Sequence, residues 1–293
     1  MKNKIRGTAT LLLATIIWGS TFIAQSVGMD HIEPFTFQAV RNAMAVVFLF
    51  PFSYLFESEK NAFAAKWRDP QLWKSGIICG TALYVAAGLQ QMGIVYTTAG
   101  KAGFLTAMYI VLVPMLGLFV NRKPSPAAWI SVGIAVCGLY LLSCTDVSGI
   151  NKGDLLLMAS ALAYAVQITL IDRYAGSLDG IRLNSVQCLT CAVFSAVTMF
   201  LTETPRLSNI LACWFPLAYA GILSMGVAYT LQIMGQRDLE PTTASLIMSL
   251  ESVFALLCGW LILHETMTPA ELTGCALVFS AVLISQIPQK KKA

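Results

Sequence analysis

Charge is scarce in this chain of 293 residues. Asp, Glu, Lys and Arg together make up 12% of it, whereas soluble globular proteins contain about 25%. Hydrophobic residues account for 57% and the mean hydropathy is +0.70. Too few charges are present to cover a surface in contact with water, so lipid must solvate the chain. The same shortage excludes disorder and a coiled coil, and a net charge of only +4 argues against a nucleic-acid-binding domain.

The groups that usually perform chemistry are also missing. The two histidines, His31 and His264, are far apart in loops, and Cys188-x-x-Cys191 has no second cysteine pair, so no metal site or catalytic constellation is predicted. A GxxxxGK[ST] phosphate loop is absent from the sequence, which excludes an ATPase on this chain. We therefore predict a non-enzyme without cofactor or metal.

Long apolar runs occupy almost the whole chain. A helix needs about 20 mostly apolar residues to cross a bilayer, and this length predicts an all-α integral membrane fold of ten transmembrane spans. The predicted spans are 8–28, 35–56, 72–95, 100–120, 127–143, 154–172, 183–202, 213–235, 241–263 and 270–287. The first run is too long for a signal peptide and is interpreted as a retained span. The longest connection, Glu57–Gln71, is too short to fold alone, so any function must lie between the helices.

Lys and Arg are distributed unequally between alternate loops. With a cytoplasmic amino terminus, fifteen of the nineteen lie on the inner side, three (Lys101, Lys152 and Arg206) lie on the outer side, and Arg41 falls within a span. Positive charge in short loops marks the cytoplasmic side of a membrane. We therefore predict a multi-pass protein of the inner (plasma) membrane with both termini in the cytoplasm.

The sequence also repeats itself. An offset of 142 places Leu89-Gln90-x-Met92-Gly93 on Leu231-Gln232-x-Met234-Gly235, and an offset of 146 places Gly7, Trp18 and Arg41 on Gly153, Tyr164 and Gln187. The chain thus divides into residues 1–146 and 147–293 with five spans each. Because five is odd, the second repeat must be inverted in the membrane. Inverted repeats allow one cavity to open alternately to the two sides, which favours a carrier over a receptor or an enzyme.

Several motifs resemble those of the EamA-type transporters of the drug/metabolite transporter superfamily. They are Trp18-Gly19-Ser20-Thr21-Phe22, the run Tyr96–Leu105 followed by Pro114, Leu250-Glu251-Ser252-Val253-Phe254, Glu265, and Thr268-Pro269-x-x-Leu272-Thr273-Gly274. The resemblance implies two five-helix repeats, a central cavity lined by spans 1, 3, 4, 6, 8 and 9, and export of amino acids or other metabolites. The first repeat departs from the pattern, since Arg122-Lys123 stands where the family often has a glutamate.

Two charged residues are predicted inside spans. Glu251 lies ten residues into span 9, so about 15 Å deep, where it is either a protonatable coupling group, a partner for a substrate amine, or a neutral packing residue. Arg41 lies nearer the outer face, where it either extends its long stem outward to water or serves as a carboxylate ligand or gate, with Gln187 as its equivalent. A charge at this depth is costly and usually functional.

Aromatic and amide side chains complete the predicted site. We expect a solute cavity where the two repeats meet, formed by Trp18, Thr21, Tyr84, Tyr109, Tyr164, Gln167, Tyr229 and Glu251. With one carboxylate and few cations, it suits neutral, zwitterionic or mildly cationic solutes rather than polyanions. The predicted partners are the lipid bilayer, a small organic solute and, as a coupling ion, the proton. The alternatives are a proton-coupled importer, a lipid-headgroup flippase and a membrane-embedded transferase. Oligomeric state is not predicted.

Overall fold

The computed structural model describes residues 2–57, 62–97, 99–119, 124–143, 151–263 and 267–286, and every regular element in these ranges is helical. The helices of the first half are α1 (Lys2–Met29), α2 (Pro34–Leu55), α3 (Phe63–Trp67), α4 (Pro70–Ile94), α5 (Ala99–Ala107), α6 (Tyr109–Phe119) and α7 (Pro126–Ser143). The second half contains α8 (Lys152–Ala175), α9 (Gly180–Thr202), α10 (Leu207–Ala212), α11 (Trp214–Ala218), a π-helical segment (Tyr219–Ala228), α12 (Tyr229–Gln236), α13 (Pro241–Met248), α14 (Leu250–Leu263) and α15 (Pro269–Gln286).

These helices correspond to the spans read from hydropathy. Nine segments of the described chain are long and apolar enough to cross a membrane, and the fifth span is a shorter apolar helix, Pro126–Leu142. Spans 1, 2, 3, 5, 6, 7 and 10 are α1, α2, α4, α7, α8, α9 and α15. Span 4 combines α5 and α6, span 8 combines α11, the π-helical segment and α12, and span 9 combines α13 and α14.

The exterior of the bundle is apolar and its interior is partly polar. Large side chains such as Val47, Phe119 and Leu201 are at least three-quarters exposed on the outer surface, where the acyl chains of the bilayer would surround them. Gln38, Gln91 and many other amides and hydroxyls are buried between the helices. Because lipid offers no hydrogen bonds, polar groups are stable only on the inside. The polar residues of this chain therefore mark surfaces where helices face one another.

Spans 4 and 9 are both interrupted near their middle. Met108 separates α5 from α6, and Ser249 separates α13 from α14. The two breaks lie 141 residues apart, which differs by only one residue from the repeat offset of 142. Pro114 lies inside α6, beyond the break, and its counterpart Leu256 is not a proline. A proline inside the helix is thus not the feature that the two repeats share. Discontinuous helices at mid-membrane are typical of carrier binding sites.

Span 8 contains a second irregularity. Ten residues, Tyr219–Ala228, form a π-helix, a rare geometry that occurs mostly at functional sites. The Asn184 amide of span 7 donates hydrogen bonds to the carbonyl oxygens of Met225 and Gly226, at 2.8 and 3.1 Å. The Asn184 side chain thus supplies hydrogen bonds to two carbonyl groups of the π-helical segment, and it thereby stabilises the π-helical geometry of span 8.

At the face of the bundle that contains the amino terminus, span 1 packs closely against the end of span 8. A Cβ atom on Gly235 would lie 2.7 Å from Leu11 Cγ and 3.1 Å from the carbonyl oxygen of Gly7. Beside this contact, Arg6 binds the Asp238 carboxylate through two hydrogen bonds of 2.8 and 3.1 Å. Only glycine permits this approach, so the contact holds spans 1 and 8 together at the amino-terminal face.

An equivalent contact closes the opposite face, between span 6 and the end of span 3. A Cβ atom on Gly93 would lie 2.7 Å from Leu157 Cγ and 3.1 Å from the carbonyl oxygen of Gly153. These three residues are the repeat equivalents of Gly235, Leu11 and Gly7. The Asn151 amide donates to the Tyr96 carbonyl oxygen at 3.2 Å beside it. Two homologous contacts thus hold helices together at the two ends of one bundle.

Some residues singled out in the sequence lie outside the described part of the chain. They are Thr98, Arg122, Lys123, His264, Glu265 and the basic tail at 290–292. The expectations about these residues rest on the sequence alone.

Candidate solute cavity at the repeat junction

A central cavity lies between the repeats, and most of the predicted residues surround it. Trp18, Thr21 and Tyr109 come from the first repeat, and Tyr164, Tyr229 and Glu251 come from the second. They reach the cavity from spans 1, 4, 6, 8 and 9, as the family resemblance implies. The interrupted spans 4 and 9 bring Tyr109 and Glu251 to it at the start of their second half-helices.

Tyr84 and Gln167 do not line this cavity, although the sequence placed them there. The Tyr84 hydroxyl shares a 2.6 Å hydrogen bond with the Thr198 hydroxyl of span 7, and its ring packs against Phe194. Gln167 is fully buried behind the cavity, where it donates to Gln187 at 3.3 Å. Both residues lie on the correct helices but on faces that contact neighbouring helices instead of the centre.

The cavity also contains residues that the sequence did not assign to it. They are Phe22, Gln25, Arg41, Gln90, Thr106, Ile168, Ser224, Met225, Gln232 and Met248. The internal repeat carries a signal for two of them, because Gln90 and Gln232 occupy the same position of the repeated Leu-Gln-x-Met-Gly motif. Thr106 and Met248 are likewise 142 residues apart.

Glu251 meets its own repeat equivalent at the centre. The Tyr109 hydroxyl donates to Glu251 Oε1 at 3.0 Å, and both side chains are buried. Equivalent residues of two related repeats can touch only near the axis that relates them. This hydrogen bond therefore marks the point where the halves of the protein meet.

A second group of hydrogen bonds runs along the cavity wall. The Tyr229 hydroxyl donates to the Tyr164 hydroxyl, which donates to Gln90 Oε1, each at 3.3 Å. Gln25 also donates to Gln90 Oε1 at 3.3 Å. The Trp18 ring packs edge-on against Tyr229, with ring centroids 5.0 Å apart. The wall thus offers apolar ring surfaces together with hydroxyl and amide groups, a combination typical of small-molecule sites.

Arg41 lies in the cavity and not at the outer face of the membrane. Its side chain is 2% exposed, so extension of the guanidinium to water, one of the two readings of the sequence, does not occur here. Its equivalent Gln187 is absent from the cavity wall and bonds to Asn184 and Gln167 instead. The two residues therefore do not form a matched pair, and only Arg41 faces the centre.

Several polar atoms around the cavity lack hydrogen-bond partners within the described ranges. They are Trp18 Nε1, Arg41 Nε and Gln232 Oε1. Buried polar atoms are rarely left unpaired, and an unpaired one needs an explanation. Here the three unpaired atoms belong to residues of one cavity wall, where a polar ligand would be within reach of them.

The cavity is small in this structure. Its open volume is about 40 Å³, enough for about three water molecules, since each needs about 10–15 Å³ on this measure. An organic solute would fit into this space only if the surrounding spans separated. No cluster of three or more His, Cys, Asp or Glu residues that could hold a metal occurs among the described residues.

Comparison with known proteins identifies related chains. The model of the EamA-like transporter family matches residues 5–144 and 151–286. An uncharacterized transporter of Archaeoglobus fulgidus is 32% identical over 94% of this chain and 83% of its own length. The threonine/homoserine exporter RhtA of Escherichia coli K12 is 26% identical over 87% of this chain and 82% of its own.

A solved structure supports the same architecture. It is a crystal structure with a TM-score of 0.79 and 18% sequence identity, and the match covers 96% of both chains. At this identity the similarity concerns the fold alone. It shows that an arrangement of helices like the one described here exists in a crystal.

Proposed function

Because the chain belongs to the EamA-like transporter family, we propose that it is an exporter of the cell inner membrane that moves amino acids or other small metabolites by alternating access. The main support is the central cavity, to which both repeats contribute aromatic, hydroxyl, amide and charged side chains. The similarity to an exporter of threonine and homoserine favours amino acids among the candidate solutes.

The two glycine contacts supply the mechanism. Gly7 with Gly235 closes the amino-terminal face, and Gly153 with Gly93 closes the opposite face. Since the two contacts are built from equivalent residues, breaking one while the other holds would produce two open forms of similar shape. In this proposal the present structure is the occluded intermediate, in which both contacts are closed and the cavity is smallest.

The orientation follows from the distribution of Lys and Arg. In the proposal, residues 1–146 and 147–293 are repeats of opposite orientation, and both termini are cytoplasmic. The contact between Gly7 and Gly235 is then the inner closure, which Arg6 and Asp238 reinforce, and the contact between Gly93 and Gly153 is the outer closure. Export requires the inner closure to open first, to admit the solute from the cytoplasm.

Glu251 is the proposed coupling group. Its carboxyl is buried at the centre of the bundle and bonded to Tyr109, so both open forms would expose it, one to each side. A carboxyl in this position can bind a proton on one side and release it on the other. A proton gradient could then drive the solute in the opposite direction.

The test is a comparison of the metabolites released by cells that overproduce the protein with those released by cells that lack it. We expect one or a few amino acids or related solutes to accumulate outside the overproducing cells. The purified protein in liposomes should then transport the same compounds. If no solute differs in the medium and none crosses the liposome membrane, the proposal is wrong.

A further inference from the structure

Arg41 reaches the cavity from a helix that contributes nothing else to its wall. All other lining residues belong to spans 1, 3, 4, 6, 8 and 9, whereas Arg41 belongs to span 2. Close packing of span 2 against the π-helical segment makes this possible, because a Cβ atom on Gly221 would lie 2.8 Å from the Arg41 carbonyl oxygen. The backbone of Arg41 therefore lies directly against span 8, and its side chain joins Ser224 and Met225 at the cavity.

The positive charge of Arg41 has no negative partner in the described chain. No carboxylate of the described residues lies within 4.0 Å of its guanidinium, and Nε lacks any hydrogen bond. Its guanidinium lies over the Phe37 ring, whose centroid is 5.4 Å from the guanidinium carbon. An arginine removed from water normally needs an anion and several hydrogen bonds to be stable. The structure therefore contains a buried cation that an anionic ligand would stabilise.

Glu251 is not that anionic group. Its carboxylate lines the same cavity but is bonded to Tyr109. Although the cavity is small, these two charged side chains form no ion pair within 4.0 Å. Separation of the spans during transport would increase the space between them. The two side chains therefore do not neutralise each other directly. A solute between them that carries both charges can pair with the Arg41 guanidinium and with the Glu251 carboxylate.

We propose that Arg41 binds the carboxylate of the transported solute and thereby makes the cavity selective for zwitterions such as α-amino acids. A guanidinium presents parallel N–H donors that match the two oxygens of a carboxylate. The ammonium group of the same solute would lie toward Glu251 and the Tyr109 hydroxyl, and the solute's side chain would contact the rings of Trp18 and Tyr229. This inference rests on the proposed function and assigns its substrate class to named residues.

The experiment uses the purified full-length protein in liposomes. Uptake is measured for the common amino acids and, for each transported one, for its carboxamide, in which a neutral amide replaces the carboxylate. The variants are Arg41→Gln and Arg41→Lys. The control is Arg237→Gln, which removes an exposed cation from the loop after span 8. Size-exclusion profiles and melting temperatures show which variants fold.

The wild type should prefer an amino acid to its carboxamide by at least about tenfold in kcat/KM, as expected for hydrogen bonds to a charged group. In Arg41→Gln this preference should fall below about threefold, through a higher KM for the acid and little change for the amide. Arg41→Lys should keep part of the preference, because lysine retains the positive charge but lacks the parallel N–H donors of a guanidinium. Arg237→Gln should match the wild type.

Other outcomes overturn the inference. Equal losses for acid and amide in Arg41→Gln would show that Arg41 acts as a gate or packing residue, while the proposed transport function would stand. Equal transport of acid and amide by the wild type would show that the cavity does not recognise a carboxylate, and this measurement needs no variant to fold. Transport of none of the compounds would overturn the inference, whereas the proposed function would be contradicted only if the comparison of released metabolites also found no solute.

Discussion

Replacing the closing glycines one at a time should bias the protein toward one open form or the other. In Gly235→Ala the new methyl group would lie 2.7 Å from Leu11 Cγ, and in Gly93→Ala it would lie 2.7 Å from Leu157 Cγ. Both distances are shorter than real Cβ contacts. Each variant therefore strains one closed contact and leaves the other unchanged. The strain disappears only when the affected face opens.

The magnitude follows from the cost of overpacking. An added methyl group in a well-packed interior costs about 1–3 kcal/mol. Because the cost applies only to conformations in which that face is closed, it shifts their equilibrium with the corresponding open form by about 5-fold to 150-fold. The two substitutions should shift the protein by similar amounts in opposite directions.

The assay measures access to the cavity from each side. A single cysteine replaces Thr21, a small cavity residue, in a parent without other cysteines, and vesicles of both orientations are treated with a membrane-impermeant thiol reagent. Gly235→Ala should increase the labelling rate from the cytoplasmic side, and Gly93→Ala should increase it from the outside. Gly133→Ala is the matched control, since a Cβ there meets no atom within 4 Å, and it should change neither rate.

Two results would refute this reasoning. If both variants increase labelling from the same side, the two contacts do not close opposite faces. If neither differs from Gly133→Ala, the glycines only allow helices to pack and do not take part in gating. A loss of folded protein is recognised separately by the melting temperature.

Three further predictions concern topology, coupling and the cavity. Reporter fusions after Lys123 should indicate the cytoplasm and fusions after Thr268 the outside; a cytoplasmic signal after Thr268 would contradict the ten-span arrangement. Glu251→Gln should leave the protein folded but lower transport at least severalfold, because an amide cannot exchange a proton; unchanged transport and an unchanged pH profile would make Glu251 a packing residue. Cysteines placed at Tyr109 and Tyr164 should react with an impermeant reagent and be protected by the transported solute. Reaction of a different helix face would place the cavity elsewhere.

The structure shows why helices could be predicted more reliably than their facing surfaces. The span lengths follow from the thickness of the bilayer, and the repeat offset places Tyr109 opposite Glu251 before any coordinates are known. The sequence indicates less clearly how each helix is rotated about its own axis, and so which of its faces points to the cavity. In a soluble helix the apolar stripe indicates the buried side, but a membrane helix is apolar on both its lipid and its packed faces. For that reason Tyr84 and Gln167 were assigned to the cavity, and Gln25 and Thr106 were not.

The sequence alone therefore determined the membrane environment, the helices and the two-repeat organisation, because these depend on composition and length over many residues. Only the tertiary structure decided which polar side chains share one space. The entry of Arg41 into the cavity depends on Gly221 of a distant span, and the central position of Glu251 depends on a break at Ser249 that no proline marks. Such contacts are set by how particular helices pack against each other, and an apolar segment has no strong periodic pattern that would record them.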